Sequence, residues 1–278
     1  MRRHLTTANP EGLAPHDHAI WCGSSPADLA ALAASVFASA RRRNDKMLYL
    51  AEDPDPSDLF GLDDAAGLVA CGALVCERPE HLYPLGDFDV DVLERLVMAA
   101  LEDALAAGYG GLCVVADNTS LAGHDAASRQ RWLAWERRAD SLQARHAITG
   151  VCYFDRSALD AEHLAAIATL HPVLPESVPG PAFRLFSDGA VLRAVGSLDG
   201  WSAPLLARLL DLAPLDAQAI ALDEADFVDH RALEAIEARG EAITVAGLRP
   251  PLRRVIDVLG LHFSHLRLAF GSATAPGV

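Results

Sequence analysis

The sequence predicts an α/β protein of two unequal domains. The first is a three-layer domain with a mostly parallel sheet, and the second is a smaller α/β domain. Three observations predict this. Through the first two-thirds of the 278 residues, short apolar runs alternate with longer segments of helical periodicity. Those short runs are apolar nearly throughout instead of alternating, as strands are when both faces are covered by helices. Residues 172–181 (PVLPESVPGP) then break the rhythm with four prolines and a glycine, and a new order of elements follows.

In chain order, 18–22 reads as an apolar strand. A helix over 26–44 carries Leu29, Leu32, Ala33, Val36 and Phe37 at helical spacing. Strands are expected at 46–52 and 73–76, with a turn-rich stretch at 53–62 between them. A long amphipathic helix spans 89–107 and stops at Gly108. A buried strand at 111–116, a helix at 128–145 bearing Trp132, Trp135 and Leu142, a strand at 149–154 and a helix at 160–170 complete the first domain. Beyond the prolines, 183–186 and 190–196 flank Ser187-Asp188-Gly189 and read as a hairpin. Helices at 202–210, 229–239 and 250–259 then interleave with strands at 219–222, 242–246 and 266–269. Asp229 is placed to cap the second of these helices and Gly240 to end it. Residues 1–16 read as a flexible leader, 173–181 as a linker and 271–278 as a flexible tail.

The formal net charge is -15. So acidic a surface repels phosphate backbones and anionic headgroups, which argues against nucleic acid or membrane as direct partners. The run Arg41-Arg42-Arg43 ends a helix, where positive charge offsets the helix dipole. The five cysteines have neither disulfide-framework nor zinc-finger spacing; most sit in apolar strand-like runs and read as buried, reduced thiols in a cytoplasmic protein. No run approaches the ~18 apolar residues of a membrane span. His16 with His18, and His262 with His265, lack a second spaced pair, so neither metal nor cofactor is expected. No GxSxG elbow is present, and Glu102-Asp103 and Asp223-Glu224 read as solvated pairs. No catalytic residue is assigned, and an enzyme is not expected.

Several segments at the C-terminal end match in sequence as well as order. VGSLDGWSAPLLARLLD (195–211), AIALDEADFVDHRALEAIEARG (219–240) and AITVAGLRPPLRRVIDVLGL (242–261) resemble successive parts of a STAS domain, the fold of anti-sigma-factor antagonists, over residues 182–270. Kinase-regulated members carry Asp-Ser-Ser/Thr-Gly where the third strand feeds the second helix. This chain has Asp229-His230-Arg231-Ala232 there, so no hydroxyl can receive phosphate. The resemblance implies a protein partner, an anti-sigma factor or related regulator, at Asp229, His230 and Arg231. A homodimer is also compatible. The plainer reading of these residues is a helix cap followed by solvated side chains.

Residues 17–172 resemble the MEDS domain, a sensory domain of a dichloromethane-pathway repressor and of some signalling kinases. The likeness rests on DHAIW (17–21), KMLYLAED (46–53), FDVDVLERLVMAALEDALAAGYGGLCVVAD (88–117), WLAWERRAD (132–140), VCYFDR (151–156) and His171-Pro172. It implies a RecA-like three-layer fold with a degenerate P-loop. No GxxxxGK[ST] occurs, and the corresponding loop reads Cys22-Gly23-Ser24-Ser25-Pro26, without lysine. Cys113 replaces an expected arginine, and Ala116-Asp117-Asn118 replaces an acidic stretch. The resemblance implies a small hydrophobic, hydrocarbon-derived ligand. His18, Trp21, Glu52, Asp117, Glu136 and His171 are its candidate contacts, from motif positions and from the carboxyl ends of strands. Each polar member could equally be a satisfied buried group. Trp132 and Trp135 read as core or as pocket lining. The expected function is a non-catalytic signal-transduction protein coupling a small-molecule sensor to a STAS output. A constitutive STAS scaffold with a degenerate sensor, and a cryptic nucleotide-binding protein, remain as alternatives.

Overall fold

A computed structural model describes residues 2–82, 88–123, 125–212 and 217–271. The chain divides into two compact units, Met1–Pro179 and Gly180–Val278.

The first unit contains strands β1 (Leu5–Thr7), β2 (His18–Gly23), β3 (Lys46–Leu50), β4 (Leu74–Glu77), β5 (Leu112–Asp117), β6 (Ile148–Asp155) and β7 (Val173–Pro175). Its helices are α1 (Pro26–Arg42), the short α2 (Ala65–Ala70) and α3 (Pro79–Leu82), then α4 (Val90–Ala106), α5 (Ala126–Arg145) and α6 (Ala161–Thr169). The strands form one sheet in the order β1-β7-β2-β6-β5-β3-β4, and every pair in it is parallel. The expected mostly parallel sheet is therefore wholly parallel. β2 sits inside it, with His18 opposite Gly150 and Cys22 opposite Phe154 on β6.

Side chains alternate between the two faces along each strand. One face meets α1: Leu29, Leu32, Ala33, Val36 and Phe37 pack with Met47, Tyr49, Cys113, Val115, Val151 and Tyr153. Ser25 and Pro26 start α1 here, the Ser25 hydroxyl accepting from the Asp28 amide at 3.2 Å. The opposite face meets α4 and α5, where Leu101, Leu112 and Ile148 form a smaller core. α5 is fixed at its start by the Asp125 carboxylate, which accepts from the Ser128 amide at 2.8 Å. Gly150 leaves room for the Gln143 side chain on this face, since a Cβ there would stand 2.4 Å from it and force it to move.

Two expectations about boundaries are corrected. Residues 2–16 are not a flexible leader. Leu5–Thr7 pairs with β7, Arg2 forms a buried ion pair with Asp140, and Arg3 pairs with Asp17. Residues 173–175 are not linker, since they form β7, buried beside β2. Both strands have three residues, too few to show a periodicity, and β7 ends at Pro175, beyond its pairing with β2 at Val173, where no ladder bond to β2 is lost. The expected tail falls almost wholly at 272–278, outside the described residues.

The second unit contains β8 (Phe183–Asp188), β9 (Val191–Leu198), α7 (Ala203–Asp211), β10 (Ala219–Ala221), β11 (Ala225–Val228), α8 (His230–Glu237), β12 (Ile243–Leu248), α9 (Pro250–Leu259) and β13 (Leu266–Phe270). β8 and β9 are the expected antiparallel hairpin. The other pairs are parallel, giving a mixed sheet. β10 and β11 lie end to end along one edge of β9. β11 was not anticipated, because the sequence reads there as the loop before α8.

Candidate functional site

α5 is strongly polar in composition, yet it buries Trp132, Glu136 and Asp140. These lie at i, i+4 and i+8, one stripe down the helix. The stripe faces β2, where the register with Gly150 turns His18 toward α5. His18 Nε2 lies 3.2 Å from Glu136 Oε2, and its Nδ1 lies 3.5 Å from Asp140 Oδ1. His171, just past α6, completes the group. Its ring centroid is 4.0 Å from that of His18, and its Nε2 is 3.4 Å from Glu136 Oε2. Cys152 on β6 points into the same space, 3.5 Å from His18 Nε2 and 3.6 Å from Glu136 Oε2. The side chains of His18, Glu136 and His171 have no solvent exposure.

A carbonyl only accepts, so the 2.9 Å contact of His171 Nδ1 with the Ile167 carbonyl places the proton on Nδ1. Nε2 is then the lone-pair atom facing Glu136. Burial, with the neighbouring His18, holds the His171 pKa well below the usual imidazole value. His18 behaves in the opposite way. Burial opposes its charging, but the bonds to Asp140 and Glu136 outweigh burial, and its pKa is raised. Burial and the adjacent Glu136 carboxylate push the Cys152 thiol well above its usual range.

Cys152 also lines an apolar cavity of about 280 Å³ between the sheet and helices α4 and α5. Leu93, Val97, Ala100, Val114, Trp135 and Leu142 form much of its wall. Its size approaches the lower end of small-molecule pockets, roughly 300 Å³.

A third feature lies at the carboxyl ends of β3, β5 and β6. A cleft of about 680 Å³ is lined there by Glu52, Asp53, Asp58, Asp117 and Asp155, with Arg78 among them. The loop leading into α1, where a P-loop would cradle phosphate, is closed by the chain itself. Asp28 Oδ2 accepts from the Ser24 amide at 2.9 Å, and the Tyr153 hydroxyl donates to the Ser25 carbonyl at 3.0 Å. A Cβ on Gly23 would stand 2.3 Å from that hydroxyl. Amides already bonded to a carboxylate, in a cleft rich in carboxylates, offer polyphosphate little attraction.

The family model of the MEthanogen/methylotroph, DcmR Sensory domain (MEDS) matches residues 17–172, more than half of the chain. The chain belongs to the MEDS family. No curated protein matches it. The MEDS segment thus contains the buried polar group, the cavity and the cleft, and its family is a sensory one.

Of the residues expected to contact ligand, the fold of the MEDS domain gathers His18, Glu136 and His171 into one group and disperses the rest. Glu52 and Asp117 line the acidic cleft. Asp117 accepts from the Thr119 hydroxyl at 2.5 Å and amide at 3.0 Å. Burial, reinforced by Asp155 and Glu52, raises its pKa in spite of those bonds. Trp21 faces a separate hollow with Gly23, Ser24 and Arg156. Trp132 is core, edge-on to Phe88 and Phe154, whereas Trp135 lines the cavity. Sequence reasoning missed Cys152, Asp140 and Arg2. The spacing of Glu136 and Asp140 on the helical face of Trp132 was the available signal. Spacing alone shows no metal-ligating set, but the fold brings His18, Glu136, Cys152 and His171 together, with one donor atom of each within 4.8 Å of the others.

In the second unit, Asp229 occupies the N-cap position of α8 without its side chain accepting from a helix amide. It turns instead to His230, whose Nδ1 it pairs with. The expected direct cap is therefore corrected: the imidazole competes for the carboxylate. The Arg231 guanidinium lies against Gly200, since a Cβ there would stand 2.9 Å from Nη1. The same region carries Trp201, 94% exposed, and Phe227, 55% exposed. Among the described residues, no helix is long and apolar enough to cross a membrane.

Proposed function

We propose that this protein is a non-catalytic signalling protein in which the MEDS domain binds a small apolar molecule and the second unit, of STAS type, passes the signal to a protein partner. The observation that carries the first half is the 280 Å³ apolar cavity whose wall includes Cys152, itself in contact with His18 and Glu136. An apolar ligand seated there meets a largely hydrocarbon wall with a few polar groups, among them Asn118, Gln143 and the Cys152 thiol, the composition typical of small-molecule sites. The acidic cleft and the self-capped loop speak against a nucleotide as the signal. For the second half, exposed Trp201 and Phe227 flank Asp229, His230 and Arg231. Large aromatics and arginine together are the usual anchors of a protein interface. The partner in this reading is an anti-sigma factor or related regulator, bound without phosphorylation because the loop has no hydroxyl.

Thermal unfolding of the full chain tests the sensor. A ligand that binds only the folded state raises the midpoint by mass action. Small haloalkanes, short alcohols and simple aromatics are expected to raise it, and ATP and GTP to leave it unchanged. Val97→Trp, which fills the cavity, is expected to abolish the shift. A shift with nucleotides alone would overturn the reading. For the output, Trp201→Ala and Arg231→Glu are expected to weaken binding to a purified anti-sigma factor from the same cell. Unchanged affinity in both variants would count against this surface.

A further inference from the structure

We propose that His18, Glu136, Cys152 and His171 form a closed tetrahedral site for a zinc ion. The inference stands apart from the small-molecule reading and survives its failure.

Geometry comes first. Ligand atoms about 2.0–2.3 Å from a zinc ion stand roughly 3.3–3.8 Å from one another across a tetrahedron. Four of the six separations fall in or near that range, 3.2 Å for His18 Nε2 to Glu136 Oε2, 3.4 Å for His171 Nε2 to Glu136 Oε2, 3.5 Å for Cys152 Sγ to His18 Nε2, and 3.6 Å for Cys152 Sγ to Glu136 Oε2, and all six are within 4.8 Å. The four donors come from β2, α5, β6 and the segment after α6, so the packed fold itself holds the arrangement.

The chemistry of the donors points the same way. Two imidazoles, a thiolate and a carboxylate are the ligand types zinc accepts, and a thiolate disfavours magnesium or calcium. Four protein ligands with no open position describe a structural site. The surrounding shell is also in place. His171 Nδ1 donates to the Ile167 carbonyl at 2.9 Å, presenting Nε2 to the centre. His18 Nδ1 lies 3.5 Å from Asp140 Oδ1 without a formed hydrogen bond, and Arg2 anchors that carboxylate within reach. Metal-bound histidines usually hold a carbonyl or carboxylate on the other nitrogen in this way.

Two further facts favour an ion. His171 Nε2, one of the four donor atoms, is buried without a hydrogen-bond partner, and natively folded chains rarely leave such an atom unsatisfied. His171 Nε2 lies near Glu136 Oε2 but is not aligned as a donor to it, which fits two lone-pair atoms that share a third partner. Charge also balances. A divalent ion is neutralised by the Glu136 carboxylate and a Cys152 thiolate, while Asp140 and Arg2 neutralise each other. Because the four ligands come from separate buried segments that meet only in the folded chain, a bound ion contributes to its stability.

The test uses the full chain, expressed with zinc in the medium. Elemental analysis is expected to find one zinc per chain. After removal by chelation under denaturing conditions, refolding with Co2+ is expected to give the visible bands of tetrahedral cobalt and a thiolate-to-cobalt charge-transfer band. Cys152→Ser is expected to remove the charge-transfer band, and Asp140→Asn to weaken metal binding ~10–100-fold. His262→Ala, in the second unit, is the control and should change neither. A folded wild-type chain that purifies without zinc and shows no charge-transfer band with Co2+ overturns the proposal, whether or not the variants fold. So does cobalt binding that persists unchanged in Cys152→Ser and His171→Gln.

Discussion

The two faces of the seven-stranded sheet solve different problems. On the α1 face, the strands meet a continuous apolar cluster with Phe37 at no measurable exposure, edge-on to Tyr49. On the α5 face, the same strands meet His18, Glu136, Asp140 and Cys152, and beside them a cavity. One face is filled by interchangeable hydrocarbon. The other is held by groups that stay buried only while each has its partner. The contrast teaches that one sheet can be held on one side by apolar packing and on the other by buried polar pairs, so the two faces should respond differently to substitution.

The comparison can be broken most directly at the packed face. Phe37→Ala is expected to cost ~3–5 kcal/mol, the usual penalty for emptying a filled core site. Urea unfolding should show a lower midpoint with an unchanged slope. On the polar face, Arg2→Ala removes one partner of a buried ion pair and is expected to cost about 3 kcal/mol. Arg42→Ala, which removes an exposed charge near Glu11, should stay within about 0.5 kcal/mol. If Arg2→Ala proves as mild as Arg42→Ala, the N-terminal residues do not belong to the polar face.

Overpacking sharpens the contrast further. Ala33→Leu, at a fully buried position on α1, is expected to cost ~1–3 kcal/mol. Ala100→Leu, on the cavity wall, should be nearly neutral because the methyl groups enter open space. Equal costs would mean that the cavity closes in solution. The smallest effect belongs to Asp117. Its folded-state pKa is raised, so its contribution to stability is full below the unfolded pKa and lost as pH rises through the folded value. Asp117→Asn is therefore expected to raise the melting temperature at neutral pH. The gain should vanish in acid, where the native carboxyl is protonated. A difference that persists in acid would assign the effect to something other than ionisation.

Most of the elements were readable along the chain. The helix at 26–44 and the strands at 46–52 and 111–116 appear within a residue or two of their expected places. Strands β1, β7 and β11 escaped because three or four residues carry no period of their own. They become strands only because a neighbour offers an unpaired edge. His18, Glu136 and His171 were singled out separately, as polar residues in otherwise apolar runs. That they touch was not readable, and Cys152 looked like one more buried thiol.

The sequence by itself determined the α/β class, the break near the proline-rich stretch and the absence of a lysine-bearing phosphate loop. Each depends on residues close together in the chain, where periodicity and turn chemistry act locally. The tertiary structure alone decided that Arg2 reaches Asp140 and that four donors from four elements share one centre. It also decided that a cavity opens beside Cys152, and that His171, which lies between α6 and β7, comes within 4.8 Å of the other three. Those outcomes depend on strand register and on which face α5 turns inward, and both are set by the packing of the whole sheet.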